Sequence, residues 1–252
     1  MIIQYCSDLH LEFPENRRHL EGKPLVPRAK TLVLAGDIVP FNELHAHNAF
    51  FDSLSTSFDQ VYWIPGNHEY YRGDAQRRSG SFTEDIRPNV HLLNNTVVEE
   101  GNVRLIFSTL WSHISKKFEN DIEKSLNDFH VINYGGRPLR AADVNQLHTE
   151  SLAFIKAELA QPTTKKTIVV THHVPTLFHY PDVYRGSILN EAFATDLDSL
   201  IIGSNISYWI FGHHHFNIAD FKIGATTLTT NQLGYVHNRE NRGFSPDRVI
   251  EL

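Results

Sequence analysis

The sequence holds a single cysteine, Cys6, in 252 residues. No intrachain disulfide can form, which suits a reducing compartment. Cys6 itself sits in an apolar run and reads as a strand residue rather than a catalytic thiol. No apolar stretch approaches the roughly 18 residues needed to cross a membrane. The opening MIIQYCSDLH lacks the basic start and long apolar core of a signal peptide. The expectation is a cytoplasmic protein without membrane association, its oligomeric state left open. Basic residues are also short, 23 lysines and arginines against 29 acidic residues, for a formal net charge of -6. That balance argues against a broad nucleic-acid-binding surface and leaves nucleic acid a disfavoured partner. Glycine and proline are not in excess and 41% of residues are hydrophobic, so disorder is not the default.

Histidine, by contrast, is abundant, with 16 residues, and its placement matters more than its number. Apolar runs that read as strands recur along the chain: IIQYCS, TLVLAGD, QVYWIPG, NVHLLNNTVVEE, NVRLIFSTLW, KKTIVVT, ISYWIFG, FKIGATTLTT and RVIEL. Between them, Asn42 to Ser57, Ser115 to Asn127, Ala141 to Ala160 and a stretch ending near Ile202 read as helices. Leu11 to Lys30, with three prolines, reads as a loop. No repeat or linker interrupts the series. An α/β sandwich on one core, a single domain over residues 1–252, is favoured over two domains.

Five of the runs end in polar clusters: SDLH, AGD, PGNHE, THH and GHHH. In open α/β sheets the C-terminal strand ends share one edge, where ligands bind. Asp8, His10, Asp37, Asn67, His172, His213 and His215 would together offer carboxylate, amide and imidazole donors with no thiolate. That set suits manganese, iron, zinc or cobalt over copper or an iron–sulfur cluster. Residues two apart on an extended end face the same side, as Asp8 and His10 do, and His213 and His215. His214 would point away.

In this order the blocks resemble those of the calcineurin-like metallophosphoesterase family, and they span Asp8 to His215. The resemblance implies a four-layer α-β-β-α sandwich with a two-metal site at the strand C-terminal ends. It also implies hydrolysis of phosphoesters by a metal-bridging hydroxide, with two divalent ions, manganese favoured. By position, Asp8, His10 and His215 resemble ligands of one ion, and Asn67, His172 and His213 those of the other. Asp37 would bridge both. His173 is the alternative to His172, because THH offers two candidates. His68 resembles the family's histidine that contacts the substrate phosphate and protonates the leaving oxygen, and Glu69 reads as a structural hydrogen-bonding partner.

Three segments between the blocks are the candidate specificity elements: Asn127 to Ile132, the glycine loop carrying Arg137, and Phe178 to Gly186 with Tyr180, Tyr184 and Arg185. The basic cluster Arg72 to Arg78 reads as solvated surface. A phosphodiesterase acting on a small or exposed substrate is the leading reading. A phosphomonoesterase or a nuclease of the same family is the alternative, with a non-catalytic metal-binding scaffold behind them.

Overall fold

The computed structural model describes residues 1–252. The chain begins β1 (Ile2–Cys6), α1 (Pro14–Gly22), β2 (Thr31–Ala35), α2 (Asn48–Ser57), β3 (Gln60–Ile64), β4 (Phe82–Arg87) and β5 (Val90–Asn94). It continues through β6 (Thr96–Glu100), β7 (Val103–Ser108), α3 (Glu119–Ser125), α4 (Asp128–Val131), β8 (Asn133–Tyr134), β9 (Arg137–Pro138) and α5 (Ala141–Leu159). It ends with β10 (Lys166–Thr171), α6 (Asp198–Ile202), β11 (Tyr208–Ile210), β12 (Phe221–Ile223), β13 (Thr226–Thr229) and β14 (Val249–Glu251).

Two six-stranded sheets result, ordered β14-β1-β2-β3-β5-β4 and β12-β13-β11-β10-β7-β6. In each, four parallel strands are flanked by one antiparallel strand at either edge. Strand alternation builds the layers, since successive side chains face opposite sides. Val33 and Ala35 meet Leu105, Phe107 and Val170 between the sheets. Leu32 and Leu34 turn outward to Leu20 of α1 and to Phe51 and Leu54 of α2. On the far side Ile106, Val169 and Trp209 pack on Ile155 of α5 and Ile201 of α6. This is the expected four-layer α-β-β-α arrangement, and burial on both faces explains the unbroken apolar runs.

Several local expectations change. Part of Leu11 to Lys30 is helix, because Pro14 occupies the first turn, where a missing N–H costs nothing. NVHLLNNTVVEE is two strands in different sheets. Asn95, at φ 45°, takes the left-handed turn between them, a conformation asparagine tolerates. The helix expected before Ile202 shrinks to a single turn at Ile188–Ala192 and the short α6.

Candidate metal centre

The polar blocks follow β1, β2 and β3 of the first sheet and β10 and β11 of the second. Those strands run parallel within each sheet, so their ends meet at one edge. The side chains converge there in two overlapping groups, Asp8, His10, Asp37 and His215, and Asp37, His172 and His213, each with donor atoms within 4.8 Å of one another. Asp37 belongs to both. Its Oδ2 lies 3.3 Å from His172 Nε2 and 3.8 Å from His10 Nε2. Asn67 Oδ1 is 3.2 Å from His172 Nε2. His172, not His173, enters the cluster; His173 Nδ1 turns to the Thr109 carbonyl at 3.3 Å.

Backbone conformation, not the alternation of an extended strand end, aims these groups, and His213 and His215 fall in different donor groups. Asp8, His10, Asp37, His213 and His215 all have positive φ, between 46° and 78°. Such a conformation costs on the order of 1–3 kcal/mol per non-glycine residue and persists only where the surroundings enforce it. Here His10 N–H donates to the Asp37 carbonyl at 3.0 Å, and His213 N–H donates to the Asp8 carboxylate at 3.1 Å. Two glycines leave the necessary room. A Cβ on Gly66 would collide with Asp37 Oδ1 and His172 Nε2, and one on Gly212 with the Asp8 carboxylate.

The donor chemistry fits a pair of cations. His10 and His215 Nε2 atoms face each other at 2.9 Å, and His172 Nε2 faces His213 Nδ1 at 3.1 Å. The outer nitrogens are committed as donors: His10 Nδ1 to Glu12 at 3.1 Å, His215 Nδ1 to Glu240 at 2.7 Å, His172 Nδ1 to the Ala35 carbonyl at 2.9 Å. That fixes the tautomers and turns lone pairs inward, the usual preparation of a metal-binding imidazole. Facing lone pairs repel unless a proton or a cation sits between them. Burial opposes charge on His215, but Asp8 and Glu240 outweigh it and push its pKa up to about 10. Burial likewise opposes charge on His172, and Asp37 pushes it up to about 9. Burial and the neighbouring imidazoles His173 and His172 hold His213 well below the usual range.

Of the residues that anchor these groups, sequence reasoning named only Glu69 in that role. Glu12 Oε1 accepts from His10 and, at 2.8 Å, from His68 Nδ1. Asp128 accepts from Asn67 Nδ2 at 3.1 Å and from the Tyr71 hydroxyl at 2.8 Å, which leaves Asn67 Oδ1 pointing into the cluster. Tyr71 stacks on His68 with ring centres 3.9 Å apart, and Tyr235 Oη lies 3.0 Å from His68 Nε2. Glu69 accepts from the backbone N–H groups of Asp37, Ile38 and Gly66 and from Trp63 Nε1, tying the second block to the third. His214 turns to Gln232, 2.8 Å away. Among the specificity segments, Asn127, Asp128 and Tyr184 line the cleft. Arg137 instead pairs with Asp143 at 2.7 Å, and Arg185 with Asp182 in solvent.

A double-sheet fold with two nitrogen and oxygen donor nests sharing one carboxylate defines a protein with a site suited to two metal ions. The chain belongs to the calcineurin-like phosphoesterase family, whose model matches residues 1–217. It is therefore a metal-dependent phosphoester hydrolase whose cofactors are divalent metal ions. It is similar to uncharacterized protein L509 of Acanthamoeba polyphaga mimivirus, 34% identical over 280 residues that span 100% of this chain and 96% of that protein. In fold it is similar to the crystal structure of phosphopantetheinyl hydrolase (PptH) from Mycobacterium tuberculosis. The TM-score is 0.73 over 98% of this chain and 95% of that one, at 20% identity. No helix is long and apolar enough to cross a membrane.

Proposed function

We propose that the chain acts as one catalytic domain, a phosphodiesterase on small or exposed substrates. Asp8, His10 and His215 hold one ion, Asn67, His172 and His213 the other, and Asp37 is shared. The observation that carries the assignment is Asp37's membership of both donor groups. Two divalent ions so held would neutralise phosphoryl oxygens and acidify an attacking water; the nitrogen and oxygen donors suit manganese, iron, zinc or cobalt, and manganese is the ion proposed.

The chain's own residues supply the rest. Asn67 adds a ligand without adding negative charge beside the phosphate, and Asp128 keeps its oxygen forward. His68 is the proton donor to the leaving oxygen. Burial works against its charged form, but Asp37, Glu12 and Asp128 outweigh burial and raise its pKa. Because Nδ1–H is held by Glu12, the proton available for transfer is on Nε2, beside the Tyr235 hydroxyl. A donor so placed contributes roughly 10²–10⁴-fold to the rate.

The test is hydrolysis of bis(p-nitrophenyl) phosphate and p-nitrophenyl phosphate by metal-stripped protein reloaded with manganese, beside His68→Ala. The expected result is metal-dependent turnover, faster on the diester, with kcat falling by roughly 10²-fold or more in the variant. Metal binding without turnover of either ester would favour a scaffold, and a monoester preference would favour a phosphomonoesterase.

A further inference from the structure

The cleft over the donor cluster encloses about 280 Å³. Its ionisable walls are carboxylate and imidazole, and no lysine or arginine is among its lining residues. Beyond the proposed ligands, the lining carboxylates are Asp128 and Glu240. The aromatic rings of Tyr71, Tyr184, Phe193 and Tyr235 form further wall. The arginines of the flanking segments lie outside the lining, Arg137 paired with Asp143 and Arg185 in an exposed pair with Asp182.

Metal ions at the donor cluster would supply the positive charge that receives one phosphoryl group. Beyond the ligands, the charge the wall itself adds is negative, from Asp128 and Glu240. A second phosphate in the same cleft would meet Asp128 and Glu240, with no lysine or arginine among the lining residues to receive it. Like charges brought together at a binding surface cost several kcal/mol. An apolar or cationic group instead finds aromatic faces and carboxylates, both favourable partners for a cation.

We infer that the substrate carries a single phosphoryl group on an organic portion that is uncharged or cationic, and that the cleft selects against polyanions, including nucleic acids and nucleoside polyphosphates. This rests on the phosphoesterase reading of the same site.

The manganese-loaded protein would be assayed on three p-nitrophenyl phosphodiesters with the same leaving group: that of choline, that of a nucleoside, and that of the same nucleoside bearing a second phosphate. The expected kcat/KM for the doubly phosphorylated ester is lower than for the plain nucleoside ester by about tenfold or more, and rises with added salt as the repulsion is screened. The choline ester should match or exceed the nucleoside ester. Tyr184→Lys, at a cleft residue 37% exposed, places a cation on the wall and should raise the ratio of doubly to singly phosphorylated turnover. Equal or faster turnover of the doubly phosphorylated ester, falling with salt, would overturn the inference and leave the phosphoesterase reading standing. Turnover of none of the three would overturn the inference together with the phosphodiesterase reading.

Discussion

The two halves of the donor cluster are held by different chemistry. On the Asp8 side, carboxylates anchor both imidazoles, Glu12 for His10 and Glu240 for His215. On the other side a backbone carbonyl anchors His172, Asp128 orients the Asn67 amide, and His213 stacks on Phe193 with ring centres 4.5 Å apart. His213 Nε2 is buried without a hydrogen-bond partner. A carboxylate raises the basicity of the imidazole it accepts from, and anchoring partners of this kind set metal affinity. In the proposed assignment the Asp8 side therefore holds its ion more tightly, and the Asn67 side exchanges more readily. Affinity at such a centre is set as much by what stands behind the ligands as by the ligands.

The comparison breaks most completely at the residue common to both halves. Asp37→Ala should weaken both ions together and lower turnover by roughly 10³-fold, the rate equivalent of several kcal/mol of lost charge stabilisation. Manganese titration followed by steady-state rates would check it. Single anchors separate the halves. Glu240→Ala should weaken the tighter ion by about 10–100-fold and spare the weaker one, and Asp128→Ala should do the reverse by a similar factor.

The proton dependence sharpens the same contrast. Without metal, His215 at about 10 and His172 at about 9 are protonated at neutral pH, so each ion must displace a proton from its imidazole. Proton competition falls as pH rises, so both affinities increase with pH. The Asp8 side, with the higher value, continues to gain longest, and the affinity gap widens. Calorimetry in buffers of different ionisation enthalpy would count the released protons. The smallest effect is expected at Arg185→Ala, whose pair with Asp182 is 82% exposed on both partners, and both metal affinities and turnover should be unchanged.

What the sequence makes legible is what is local. Each polar block abuts an apolar run, so Asp8, His10, Asp37, Asn67, His172, His213 and His215 can be found without a fold, and parallel strands then bring them together. The remainder depends on long-range placement or on backbone conformation. Tyr235 and Glu240 lie in an irregular segment beyond the last block and reach His68 and His215 only through tertiary structure. Asp128 falls in a segment singled out for its position, while its bond to Asn67 spans 61 residues. Glu12 is the exception. It stands two residues after His10, and its nearness to the first block would have marked it. The left-handed backbone at five of the proposed ligands leaves no mark in composition, because Asp and His there replace the glycine such angles normally favour. Asn94 and Asn95 likewise hide a change of sheet inside what reads as one strand.

The most direct test of the two-ion account is anomalous scattering from crystals of the manganese-loaded protein, collected on either side of the metal absorption edge. The account predicts two peaks roughly 3.5–4 Å apart, on either side of the Asp37 carboxylate. The peak toward Asp8, His10 and His215 should be the fuller one at limiting metal. A single peak, or a pair that does not share Asp37, would contradict it.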